Sequence, residues 1–392
     1  MKTIGTISRG IKAPIIRKGD NLVNIVVDSV LAASKEGNFS FQDRDIVAVT
    51  EAVLAKSQGN FATIEQIAKD VRQKTGGESV GLIFPILSRN RFSLLLKAIS
   101  MGCKKLYLQL SYPSDEVGNP LIPISMLEEK KINPYTDSFT EKEYYKTFGK
   151  ILHPFTGIDY IELYKNYAGN NCEIILANNP CEILKYTDVV INADIHTRNM
   201  TKNKLLQAGA KKVFSLSDLL TSSIDGSGYN ETYGLYGSNI STDTSVKLFP
   251  RDSQSFVDAL QKALIEKTGK QIEVMVYGDG AFKDPVGGIW ELADPVVSPA
   301  YSNGLDGKPN ELKLKYIADN DIANLNGDEA VNAIKNLISN KNKNLGSSMS
   351  SQGTTPRRLT DLLGSLCDLT SGSGDKGTPI ILIQNYFNTY AD

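Results

Sequence analysis

GLIFPILSRNRFSLLLKAISMGCKKLYLQLS, residues 81–111, decides the fold class. GLIFPIL is a short apolar run of strand length. RFSLLLKAISMG has helical spacing and closes on a glycine, and KKLYLQLS is a second strand. The rhythm continues downstream. CEIILANNP (172–180), TDVVINADI (187–195) and KKVFSLS (211–217) read as strands, with CEILKY (181–186) and NMTKNKLLQAG (199–209) as helices between them. Short buried strands alternating with helices predict a parallel, doubly wound α/β sheet. No GxGxxG occurs within this block, so this sheet is not read as a dinucleotide site. The block ends in SSIDGSGYNETYGLYGSN (222–239), a Ser/Gly-rich return to the flanking sequence.

The flanks have a different rhythm. NLVNIVVDSVLAAS (21–34) and TIEQIAKDVRQKTGG (63–77) predict helices, the latter stopped by paired glycines. IVAVT (46–50) reads as a buried strand, followed by a polar break at Lys56–Gly59. SFVDALQKALIEKTG (255–269) and DEAVNAIKNLISNK (328–341) predict helices, and KQIEVMVYGDG (270–280) a strand. Thr355 and Pro356 form a helix start, with threonine as the cap and proline at the first helical position.

A chain of 392 residues exceeds what one core usually supports, so two domains are expected. Hydrophobic residues make up 41% and charged residues 22%, as in ordinary globular proteins. A net charge of −1 gives no reason to expect nucleic acid or an anionic membrane as partner. No apolar run approaches the roughly 18–20 residues of a membrane span. MKTIGTISRGIKAP (1–14) lacks the apolar core of a signal peptide, so a cytoplasmic protein is expected. Cys103, Cys172, Cys181 and Cys367 are scattered, without a CxxC pair. His153 and His196 are the only two histidines, so any metal must be held mainly by oxygen, which points to Mg²⁺ or Mn²⁺.

Chemistry-bearing residues cluster in few places. IEVMVYGDGAFKDPVGGIWELADP (272–295) ends a strand in Gly-Asp-Gly and places Asp279 where α/β proteins bind metals and ligands. The same tripeptide also reads as a plain turn. SGSGDKG (371–377) is rich in backbone N–H groups able to approach a phosphate, or is a helix stop and turn. By itself Lys56 reads as a solvated surface lysine. In the central block Asp115 and Glu116 form either a metal- or amine-binding pair or a solvated acidic loop. Arg89 and Arg91 suit a substrate carboxylate or a helix start, and His196 follows a strand as a ligand or a loop residue.

Five segments occur in an order that resembles the coenzyme F-420 gamma-glutamyl ligase family. They are IKAPIIRKGDNL (11–22), DIVAVTEAVLAKSQG (45–59), GLYGSNIS (234–241), EKTGKQIEVMVYGDG (266–280) and LTSGSGDKGTPIIL (369–382). The resemblance covers roughly residues 8–75 and 230–385. It implies a glutamyl-ligase-like α+β core over residues 1–79 and 229–392, with an inserted doubly wound α/β domain over 80–228. It further implies a cytoplasmic homodimer that joins an amino acid to a small-molecule carboxylate, with GTP (or ATP) as co-substrate and Mg²⁺ or Mn²⁺ as metal. The alternative is a non-catalytic nucleotide- or metabolite-binding relative.

Carried over by resemblance, Ala13, Pro14, Ile15 and Ile16 line the nucleotide site. Lys56 meets the phosphates as a catalytic group, and Asn239 also contacts the nucleotide. Gly372, Ser373, Gly374, Asp375, Gly377 and Thr378 form the Gly-rich nucleotide loop. The family's metal-binding Asp-Thr pair falls on Gly278 and Asp279, making Asp279 the metal ligand and second catalytic residue. Three positions depart from the pattern. Tyr236 stands for a metal-binding Asp, Glu51-Ala52 for a Ser-Thr pair, and Gly372 for an acidic residue. Glu51, Asp361 or Asp375 would then supply replacement oxygens.

Overall fold

The computed structural model describes residues 3–86, 92–115, 118, 120–153, 157–195, 197–278, 298–345, 348–351, 357–371 and 374–392. These residues divide into two compact units. One comprises residues 3–57, 252–278 and 298–392, and the other residues 58–251. The protein is a mixed α/β molecule with parallel and antiparallel sheets.

The first unit begins with β1 (Ile7–Ile11), α1 (Leu22–Glu36), β2 (Ile46–Thr50) and α2 (Glu51–Ser57). The Asn21 side chain caps α1 by accepting from the Asn24 N–H at 3.1 Å. Two-turn α2 occupies the stretch read as the approach to a polar break. Its seven residues are too few to display a helical period, although Leu54, Ala55 and Ser57 are buried.

Residues 58–251 form the second unit. It opens with β3 (Phe61–Thr63), α3 (Ile64–Thr75), β4 (Ser79–Ile83), α4 (Phe92–Met101) and β5 (Lys105–Leu110). Next come α5 (Ile124–Glu129), β6 (Phe139–Thr140), α6 (Glu141–Phe148), α7 (Tyr160–Ala168) and β7 (Cys172–Leu176). A 3₁₀ turn over Pro180–Lys185 takes the place of the helix expected at CEILKY. The unit ends with β8 (Val189–Asn192), α8 (Arg198–Gln207), β9 (Lys212–Ser215), β10 (Asn239–Thr242) and β11 (Ser245–Lys247).

Its main sheet has the order β6-β7-β5-β4-β8-β9, and all strands but the edge strand β6 run parallel. This is the doubly wound sheet expected from residues 81–111. Helices α3, α4 and α7 bury Ile67, Val71, Leu95, Ile99 and Tyr164 in one core cluster, while Leu205 of α8 and Ile183 lie in another with Ile83 and Val190. A capping box between Thr63 and Gln66 starts α3, and Gly76 in the left-handed region stops it. Strands β10, β11 and β3 make a small antiparallel sheet, so residues 58–79 and 229–251 go with this second unit.

The chain then completes the first unit. It adds α9 (Ser253–Thr268), β12 (Glu273–Tyr277), β13 (Ala300–Tyr301), α10 (Leu314–Asp319), α11 (Gly327–Ser339), α12 (Leu359–Ser371) and β14 (Ile380–Gln384). The described part of α12 starts at Leu359. Thr355 and Pro356, read as its start, lie outside the described residues. The sheet order is β1-β14-β2-β12-β13, with β2 and β12 parallel. Both of its faces are covered. Val26 and Val30 of α1 and Val257 and Leu260 of α9 pack in the cluster containing Val47 and Val274. Leu363 and Cys367 of α12 pack in the one containing Ala48 and Met275. No helix of the described residues is long and apolar enough to cross a membrane.

One buried carboxylate ties this sheet to its rim. Asp45 accepts from the Gln42 N–H at 2.9 Å and from Gln384 Nε2 at 2.7 Å, while Arg9 donates to Gln384 Oε1 at 2.6 Å. Burial raises the Asp45 carboxyl above its ordinary value, and these hydrogen bonds only partly oppose it. The folded state therefore holds the proton more tightly than the unfolded chain. Its stability contribution is greatest below the ordinary aspartate range and falls as pH rises through the raised value. Asp45→Asn is expected to remove that fall and to leave the neutral-pH Tm unchanged or higher. Thermal melts from pH 3 to pH 7 check this; a Tm deficit that widens towards neutral pH would contradict it.

Candidate functional site

Strand register in the first unit brings four chain segments to one sheet edge. Parallel β2 and β12 end together, with Thr50 opposite Tyr277. Antiparallel β14 starts beside them, Ile380 opposite Val49, and β1 ends there, Ile11 opposite Ile380. Residues 12–16, Glu51, Gly278 and 374–379 consequently leave or enter the sheet along the carboxyl ends of its parallel pair. In α/β proteins this is the edge at which ligands bind.

Hydrogen bonds stitch these segments together. Ala13 N–H donates to the Gly377 carbonyl at 3.3 Å, and Thr50 N–H donates to the Pro379 carbonyl at 3.0 Å. Thr378 Oγ1 donates to the Ser371 carbonyl at 2.6 Å, closing the loop between α12 and β14. Gly377 sits at φ +66°, a conformation glycine adopts without steric cost. Asp375, Lys376 and Gly377 are exposed, so the loop presents backbone and charge to solvent. Gly372 and Ser373 lie outside the described residues.

In the N-terminal segment Ile16 is 3% exposed and anchors the chain, whereas Pro14 is exposed and Ile15 is 78% exposed. Ala13 is half-buried. Lys56 is exposed in the last turn of α2. The end of this helix is held by Gly19 N–H donating to the Ser57 carbonyl at 2.8 Å.

Glu51 is the one buried carboxylate at this edge among the described residues, 4% exposed at the start of α2. It fits a divalent cation as an oxygen donor. Asp361 is half-buried in the first turn of α12. Asp279, the expected metal ligand, lies outside the described residues, directly after buried Gly278. Among the described residues no three His, Cys, Asp or Glu side chains gather as a metal site.

Asn239 and Tyr236 belong to the second unit. Asn239 begins β10, pairs with Lys247 and accepts the Ile240 N–H through its own side-chain oxygen at 2.9 Å. Tyr236 is a core residue with the Arg198 guanidinium 5.5 Å from its ring centre. Burial pushes its hydroxyl up to about 12, opposed by Arg198. Gly234, at φ +55°, would place a Cβ 2.5 Å from the carbonyl oxygens of Leu216 and Leu219, so the start of GLYGSNIS admits only glycine.

Of the other sequence candidates, Asp115 is buried after β5 and lies 3.3 Å from His153 Nε2, a contact not anticipated from sequence because the two are remote in the chain. Glu116, Arg89, Arg91 and His196 lie outside the described residues. No curated protein matches the chain. The family model of F420-0:gamma-glutamyl ligase matches residues 10–385, limits that enclose the central block 80–228, and the chain belongs to that family of ligases.

Proposed function

We propose that the protein is a nucleotide-dependent amide ligase of the gamma-glutamyl type. It activates a small-molecule carboxylate as an acyl phosphate and lets an amino-acid amine displace the phosphate. The observation that supports this most directly is the gathering of residues 12–16, Glu51, Gly278 and 374–379 at one edge of the first unit's sheet. A carboxylate is a poor electrophile, so amide formation at neutral pH requires activation. Phosphoryl transfer needs positioned donors and charge compensation more than covalent help from the protein.

Each group has a defined part in this reading. Backbone donors of residues 374–378 and the Lys56 ammonium hold the terminal phosphates of GTP or ATP. Ala13 to Ile16 border the nucleotide. Glu51 and Asp279 would hold Mg²⁺ or Mn²⁺, which supplies charge neutralisation on the transferring group when bound. The acceptor carboxylate attacks the terminal phosphorus, the nucleoside diphosphate leaves, and the amine then attacks the acyl carbon and expels phosphate.

The buried, core-packed Tyr236 supports the alternative, a nucleotide-binding relative without turnover. Incubation with GTP or ATP, Mn²⁺, and a panel of carboxylates and amino acids separates the two. Phosphate release that rises at least tenfold with a matching acceptor and amine is expected. Binding without release under all combinations would favour the alternative, and neither binding nor release would exclude both.

A further inference from the structure

The main sheet of the second unit borders a cavity to which the proposed ligase steps assign no residue. Chain order along it runs from β4 outwards to β5 and β7, then returns to β8 and β9 on the other side of β4. The order therefore reverses between β4 and β8. Crevices form beyond the carboxyl ends of strands at such reversals, because the loops on either side diverge. A cavity of about 420 Å³ lies there, lined by Phe84 and Ile86 after β4, Asp115 after β5, Asp194 after β8, and Met200 and Lys204 of α8. That volume falls within the range of about 300–1,000 Å³ usual for small-molecule sites.

Its wall is held rigidly. Phe84 adopts φ +50°, a conformation costly for a bulky side chain and therefore maintained by its surroundings. Its N–H donates to the Gln109 carbonyl at 3.0 Å, and the Tyr164 hydroxyl donates to the Pro85 carbonyl at 2.6 Å. These two hydrogen bonds hold the backbone that carries Phe84 and Ile86 at the crevice.

The polar groups restrict the ligand's chemistry. Asp194 accepts from Thr197 N–H at 2.9 Å, Thr197 Oγ1 at 2.6 Å and Thr201 Oγ1 at 2.7 Å. A carboxylate already sits at the start of α8, which opposes binding of a phosphate there. Lys204 is exposed and has no ion-pair partner among the described residues. It lies four residues after Met200, on the same face of α8. Asp115 is buried beside His153, and a carboxylate offers about four acceptor sites.

We propose that this cavity binds a small zwitterion, an α-amino acid with an apolar side chain. Its ammonium meets Asp115, its carboxylate meets Lys204, and its side chain packs on Phe84, Ile86 and Met200. The site is built from residues of the second unit alone and does not depend on the ligase reading.

Saturation-transfer NMR on the full chain tests it with L-leucine, L-methionine and L-phenylalanine. N-acetyl-L-leucine and L-leucinamide each remove one charge, and guanosine monophosphate is the phosphate probe. At least one free amino acid is expected to bind, and its acetylated and amidated forms to bind at least tenfold more weakly. Met200→Trp fills the cavity and Lys204→Glu reverses the rim charge at an exposed position that leaves folding intact. Each is expected to raise Kd at least tenfold. Absence of binding by all three amino acids, native affinity in either variant, or displacement by guanosine monophosphate would overturn the assignment. The readout is binding, so the presence or absence of nucleotide turnover does not bear on it.

Discussion

Lys56→Ala is expected to slow phosphate release from GTP or ATP by about 10²- to 10³-fold, the usual loss when one preorganised charge-stabilising donor is removed. The lysine is exposed and its helix end is held by backbone bonding between Gly19 and Ser57, so Tm should change little. Steady-state rates at saturating Mn²⁺-nucleotide, paired with thermal melts, check the prediction. Loss confined to KM would place the lysine in uniform binding of the nucleotide, since a group that acts on the transition state must lower kcat. Rates within threefold of the native enzyme would remove Lys56 from the phosphates altogether. Lys56→Arg keeps the charge but not the compact ammonium, and should recover only part of the rate.

A second large effect is expected at Asp279. Asp279→Asn keeps the size of the side chain and removes its charge, so affinity for the Mg²⁺ or Mn²⁺ complex of the nucleotide should fall at least tenfold. Binding of the metal-free nucleotide should stay the same or improve, because a negative charge near the phosphates is lost. Titration calorimetry with and without metal reads both. Equal loss in the two titrations would assign Asp279 to folding or to the nucleotide itself. Unchanged affinity in both would move the metal to other oxygens, with Glu51, already buried at this sheet edge, as the first to test by Glu51→Gln.

Much of the architecture follows from local pattern. α4 and β5 lie within a residue of the limits read from 81–111, β4 starts two residues before GLIFPIL and ends already at Ile83, and α3 starts and stops at the threonine and glycines that mark it. Caps and apolar periods act within a few residues, which is why they are visible in one dimension. Where local signal was short, the reading failed: α2 has only two turns, and CEILKY forms a 3₁₀ turn instead of an α-helix. The contact of Asp115 with His153 could not be seen either, because nothing local links positions so far apart.

By itself the sequence determined that the chain is α/β, that its central block is a doubly wound sheet, and that five ordered segments place it among the glutamyl ligases. Tertiary structure alone decided which of those segments meet. Ala13, Thr50, Gly278 and Pro379 share one edge because β1, β2, β12 and β14 pair in a register that buries both sheet faces. A slip of one residue would turn each apolar side chain to the wrong face, so the register is strongly specified. It is specified by contacts between distant parts of the chain, however, and no local pattern records it. The same holds for β3, which pairs with β11 and so draws residues 58–79 into the second unit, and for the reversal of strand order that opens a crevice between β4 and β8. Strand order depends on how helices cover the two faces of a finished sheet, and that packing exists only once the chain has folded.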